Sequence, residues 1–119
     1  MLNVNPNENK RQGDIFLLKI DQIPAFARPV DGHIIAIGEE DHIHCLKGGS
    51  FQLLIEEKEN PNRNQGYLKV SQQTELVHES TNPKNPPQHK SLQIEEGEYM
   101  IVREREYDPY AEEIRRVQD

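Results

Sequence analysis

The 119 residues contain no tryptophan, one cysteine and few aromatic side chains of any kind, 6% in all. A lone Cys45 excludes an internal disulfide, so the fold must rest on burial, backbone pairing, a metal or a partner chain. No window approaches the roughly 18 consecutive apolar residues of a membrane span. Residues 1–12 lack the apolar stretch of a signal peptide, and the expectation is a soluble, cytoplasmic protein without membrane contact. Positive charge is also scarce: 14 Lys and Arg stand against 21 Asp and Glu, for a formal charge of −7. Nucleic-acid affinity comes largely from cationic neutralisation of phosphates, so DNA and RNA are not expected partners. Gly48-Gly49 is too short to cradle a phosphate, and the chain carries no dinucleotide fingerprint.

What is present suffices for one core. Leu, Ile, Val and Phe make up 29 of the 119 residues, just above the range in which chains stay disordered. Residues 1–12, with four Asn around Pro6, read as a mobile arm, and 13–119 as a single domain that opens at the Gly13-Asp14 turn signal. The apolar run 15–20 is a strand of the kind buried on both faces. From residue 33 the texture is β. Segment 33–37 stops at Gly38 and 42–46 follows an acidic turn. Lys47-Gly48-Gly49-Ser50 then reads as a hairpin turn into 51–56, where Phe51, Leu53 and Ile55 alternate onto one face.

Further strands are expected at 67–70, 74–78 and 98–107, the last with Met100 and Val102 on one face and Tyr99, Ile101 and Tyr107 on the other. Pro83, Pro86 and Pro87 make 80–90 an exposed loop. Asp108 as N-cap and Pro109 at the first helical position open a short C-terminal helix, with Tyr110, Ile114 and Val117 on one stripe. Residues 95–119 hold nine acidic side chains and four Arg, a solvated acidic end that a basic partner could read. The pattern of short strands predicts an all-β domain, a small barrel or a sandwich.

One stretch suggests chemistry. In Asp41-His42-Ile43-His44-Cys45, residues two apart on a strand share a face, so His42 and His44 can present two imidazoles to one ion. His78 sits at a strand end where pairing could bring it close, and His89 is an optional fourth ligand. A His₃ or His₄ set on a β scaffold suits Zn, Fe, Mn, Ni or Cu. The competing reading is that these are ordinary strand histidines satisfied by backbone partners. Cys45 faces away from the histidines on a regular strand and reads as structural rather than as a nucleophile. Arg103-Glu104-Arg105-Glu106 suggests cross-strand ion pairs near an edge, or, in a functional version, Arg103 and Arg105 holding an anion.

Gly38 through His44, with its His-x-His, partly resembles the first motif of the cupin family, with His78 or His89 standing for that family's later histidine. The motif's glutamate is missing, since Lys47, Gly48 and Gly49 stand where it belongs. The resemblance implies a double-stranded β-helix barrel with a metal in its mouth. Arg11-Gln12-Gly13-Asp14-Ile15, Leu76-Val77-His78-Glu79 and the ending Arg103 through Val117 also look like small bacterial proteins of unknown function. The leading expectation is a divalent-metal-binding β-barrel using His42, His44, His78 and His89. Glu79 would be its acid or base if it acts catalytically on a small molecule. The rival is an accessory module that docks on a partner protein through a strand edge or the acidic helix. A homodimer fits either, because a domain this small gains stability from association.

Overall fold

The computed structural model describes residues 9–37, 42–80, 82–84, 86 and 89–103. These form ten strands: β1 (Lys10–Gln12), β2 (Ile15–Ile20), β3 (Arg28–Val30), β4 (Ile34–Ile37), β5 (His42–Lys47), β6 (Ser50–Glu56), β7 (Gln65–Gln72), β8 (Thr74–Ser80), β9 (Leu92–Ile94) and β10 (Gly97–Arg103). One turn of 3-10 helix, Pro61–Arg63, precedes β7. All pairings are antiparallel and give two open sheets, ordered β1-β2-β10-β7-β6-β3 and β4-β5-β8-β9. Among the described residues no helix is long and apolar enough to cross a membrane.

The two sheets share one ladder. β5 runs against β8 from His42 opposite Ser80 to Lys47 opposite Glu75, and β6 runs against β7 from Ser50 opposite Gln72 to Glu56 opposite Gln65. The same two chain segments therefore pair in both sheets. They form one long hairpin that folds between Lys47 and Ser50 on one side and at Gln73 on the other. The expected turn at Lys47-Gly48-Gly49-Ser50 accordingly makes no hairpin: β5 and β6 lie in different sheets, and these glycines carry the chain across. Gly49 has φ +66°, and a Cβ there would stand 2.1 Å from the carbonyl oxygen of Gln73, so the two bends touch backbone to backbone. The buried hydroxyl of Thr74 lies 2.7 Å from Gly48 O and 3.1 Å from Lys47 O, tying β8 to the bend. A one-residue slip between Ser50 and Phe51 absorbs the change of direction.

Folding the ladder puts the inward faces of both sheets around one core. Leu17, Leu53, Leu68, Val70 and Tyr99 come from one sheet and Leu46, Leu76 and Ile94 from the other. A second cluster of Ile20, Ile23, Ala27 and Tyr67 covers the outer face of the six-stranded sheet, where Met100 also packs. This accounts for the nearly continuous apolar run of β2, whose inward Ile15 and Leu17 are buried while the outward Phe16 and Leu18 are half-buried. Burying an aliphatic side chain contributes about 1.5–3 kcal/mol, so the first cluster is the larger source of stability.

Three further expectations change. The protein is not a closed barrel, cupin-like or otherwise: β1 and β9, each three residues long, lie at the sheet edges, and side chains of β1 reach the other sheet, Gln12 to the carbonyls of Leu76 on β8 and of Lys90, and Lys10 to Glu95 just after β9, in place of a backbone ladder. β10 lies between β2 and β7, so Arg103 is not on an edge strand. Pairing also begins at Lys10, ahead of the Gly13 start read from the sequence. The expected C-terminal helix, strand residues 104–107 and the acidic turn at 38–41 fall outside the described residues, as do residues 1–8 of the arm.

The shared bend makes unequal demands on its two glycines, because Gly48, at φ +75°, has open space around its Cβ position. Gly48→Ala should cost about 1–2 kcal/mol, the ordinary penalty for a left-handed alanine. Gly49→Ala should cost clearly more, roughly 3 kcal/mol or above, because a backbone clash adds to the same penalty. Urea denaturation midpoints of the two variants check this, and equal losses would contradict the backbone contact.

Candidate functional site

The inner faces of β5 and β8 alternate in register. Leu46 stands opposite Leu76 in the core, His44 opposite His78 one step along, and His42 opposite Ser80 at the end. The histidines thus continue the apolar layer toward one end of the sandwich, and His42, His44 and His78 are 6%, 2% and 6% exposed. Ring centroids lie 4.7 Å apart for His42–His78 and for His44–His78, the latter pair stacked. His89, in the segment leading to β9, places its ring 4.8 Å from His78 and 6.5 Å from His44. That ring fits because residue 13 is glycine: a Cβ there would come within 2.8 Å of His89 Nε2, and Gly13 has φ +60° in the two-residue turn between β1 and β2.

The β1–β2 turn closes the cluster from the other sheet. Gln12, 2% exposed, donates from Nε2 to Leu76 O at 3.0 Å and to Lys90 O at 2.9 Å, and its Oε1 lies 2.8 Å from His44 Nδ1. Asp14 Oδ2 accepts from Arg103 Nε at 3.1 Å, and Arg103 Nη2 also donates to Ile37 O. The second Asp14 oxygen, Oδ1, faces His44 Nε2 at 3.6 Å. His78 Nδ1 accepts from the His89 amide at 3.2 Å.

These surroundings set the charge states. Burial, followed by the neighbouring His78, pulls the His44 pKa down from 6.5 to about 4, against the opposing pull of Asp14. His78 is lowered in the same way, by burial first and then by His89 and His42. Burial pushes the Asp14 carboxyl up, but the Arg103 hydrogen bond and backbone hydrogen bonding outweigh it and leave it below its ordinary value. At neutral pH His44 and His78 are therefore neutral imidazoles, beside an ionised Asp14 carboxylate.

His42, His44, His78 and His89, the four ligand candidates of the sequence, come together in this cluster, while the exposed His33 stands apart. Glu79 does not join them. It follows His78 on the strand and so projects from the other face, opposite Ile43, where it pairs with Lys47 and lies 3.6 Å from Cys45 Sγ. That placement corrects its assignment as the acid or base of a histidine site. Cys45 occupies the same outer face. Burial and then the nearby Glu79 raise its thiol pKa, so it is held as the thiol and not the nucleophilic thiolate. The rings stack more than they converge: among the described residues no group of three or more His, Cys, Asp or Glu is arranged to hold a metal ion.

Sequence reasoning missed Gln12 and Asp14 and took Arg103 for an edge ion pair or an anion holder. The available signal was a polar pair flanking a turn glycine just before a buried strand. It gave no indication that this turn would lie over the end of the opposite sheet.

The depressed His44 pKa has a consequence for stability. A histidine kept neutral in the fold and free to protonate when unfolded destabilises the fold as pH falls. Its contribution is fully present above pH 6.5 and is lost between 6.5 and about 4, where the folded ring also takes up a proton. The total loss is on the order of 3 kcal/mol. Urea midpoints measured in chelator between pH 7.5 and 5 should fall steeply for the wild type and more shallowly for His44→Gln. Parallel slopes would contradict the assignment.

Comparison with curated proteins and with solved structures finds no match in either. A family model, described as a domain of unknown function (DUF8820), matches residues 11–104. The matched span runs from the strand that carries Gln12 to the residue after Arg103, and takes in all four clustered histidines and Asp14. The chain belongs to the DUF8820 family.

Proposed function

We propose that this cytoplasmic all-β protein binds one divalent transition-metal ion at the end of its sandwich, with His44 Nε2 and Asp14 Oδ1 as the anchoring ligands. The observation that carries the reading is their separation of 3.6 Å, between a buried imidazole and a half-buried carboxylate fixed from behind by Gln12 and Arg103. Two ligands with bonds of about 2.0–2.2 Å to one ion stand about 3–3.5 Å apart, so a small inward shift accommodates zinc or a similar ion. The outer partners resemble the supports that orient ligands in metal centres generally. Water and a turned ring of His42 or His89 complete the coordination. An imidazole and carboxylate donor set suits Zn, Fe, Mn, Ni or Cu. An open coordination position would activate water or take a small oxygen-rich molecule, with no part for Glu79.

A second reading, an accessory module that docks on a partner protein or a second copy, is favoured by β4. This edge strand exposes Ile34 and Ile37, at 45% and 68%.

Calorimetric titration of chelator-treated, tag-free protein with zinc separates the two. The metal reading expects one ion per chain, with affinity weakened at least about tenfold in His44→Gln and in Asp14→Asn and unchanged in Glu79→Gln. Absence of zinc binding by the folded wild type, or equal affinity in all three variants, would sink it. Ile37→Lys should leave zinc binding intact and abolish self-association or partner capture only if β4 is the docking edge.

A further inference from the structure

The partners of Gln12 fix which end of its amide is which. Nε2 lies 3.0 Å from Leu76 O and 2.9 Å from Lys90 O, and both carbonyls can only accept. The flipped amide would set oxygen against oxygen at a site that is 2% exposed. Both amide hydrogens are therefore directed at these carbonyls, and the atom 2.8 Å from His44 Nδ1 is the amide oxygen. An oxygen with no hydrogen requires a donor, so the proton of the neutral His44 ring sits on Nδ1. On the stacked His78 the logic reverses. Its Nδ1 is 3.2 Å from the His89 backbone nitrogen, which can only donate. His78 Nδ1 therefore carries the accepting lone pair, and the proton of the neutral ring sits on Nε2.

We propose that Gln12 is a positioning residue that holds His44 as the Nδ1–H tautomer while the His89 amide holds His78 as the opposite one, so that His44 of the stacked pair turns an unprotonated nitrogen toward Asp14. The tautomers stand on the hydrogen bonds alone, and only their consequence for metal uptake rests on the metal reading. His44 accepts an ion at Nε2 without losing a proton. His78 must first move its proton to Nδ1, which requires the His89 amide to withdraw. The amide that bridges β1 to β8 across the seam between the sheets thus also selects which nitrogen of His44 is a donor atom.

Long-range ¹H–¹⁵N correlation spectra of the imidazoles, recorded on metal-free protein at pH 7.5, test this directly. The wild type should show a protonated Nδ1 and bare Nε2 for His44 and the reverse for His78. Gln12→Leu should shift His44 to the other tautomer or a mixture and leave His78 unchanged. If the leucine variant does not fold, the wild-type spectrum decides: a His44 ring protonated on Nε2 overturns the proposal, as does an unaltered His44 pattern in folded Gln12→Leu. A zinc titration of the same samples should show affinity weakened about 10- to 100-fold in Gln12→Leu. Tautomers as stated with no zinc bound leave the lock standing and remove the metal reading, whereas zinc bound with the tautomers reversed does the opposite.

Discussion

The paired segments running from His42 to Glu56 and from Gln65 to Ser80 must pass from one sheet into the other, and a ladder can do that only where both backbones bend at the same level. Gly49 against the Gln73 carbonyl, with the Thr74 hydroxyl over the carbonyls of Lys47 and Gly48, is that level. With the bend in place, the inward residues of β5 and β8 face those of β2, β7 and β10, and the core closes between them. The histidines are inward residues of the same two strands, so the constraint that makes the core also makes the cluster.

The second sheet contributes the polar frame. A hydrophobic layer that ended on three bare imidazoles would leave their nitrogens unsatisfied, at about 1–3 kcal/mol for each buried group. For His44 the β1–β2 turn meets that demand from outside the sheet that bears the histidines, and for His78 the His89 amide meets part of it. Gln12 takes His44 Nδ1 and two carbonyls at the seam, while Arg103 holds Asp14 in front of the other nitrogen. The same set of bonds satisfies His44 and fixes the position of Asp14.

The sequence made the β class legible, together with the strands around Ile15, Phe51 and Met100 and the shared face of His42 and His44, because alternation along a strand is local. The pairing of His44 with His78 depends on a register 34 residues long and was available only as a possibility. Two local readings failed for a common reason. Gly48-Gly49 has the composition of a hairpin turn, but whether a chain returns along its own sheet or crosses to another is decided by what packs against the bend, here Gln73. Glu79 seemed close to His78 because it follows it, yet neighbours on a strand point to opposite faces. Asp14, 64 residues away, is the carboxylate that the fold delivers to the histidines.

The proposed metal site rests on one arrangement, a buried imidazole nitrogen and a carboxylate oxygen 3.6 Å apart. A crystal grown from tag-free protein with zinc, with data collected on both sides of the zinc absorption edge, tests it most directly. A single strong anomalous peak is expected between His44 Nε2 and Asp14 Oδ1, about 2 Å from each. A well-ordered site with no anomalous peak, the two atoms bridged by water or left apart, would contradict it.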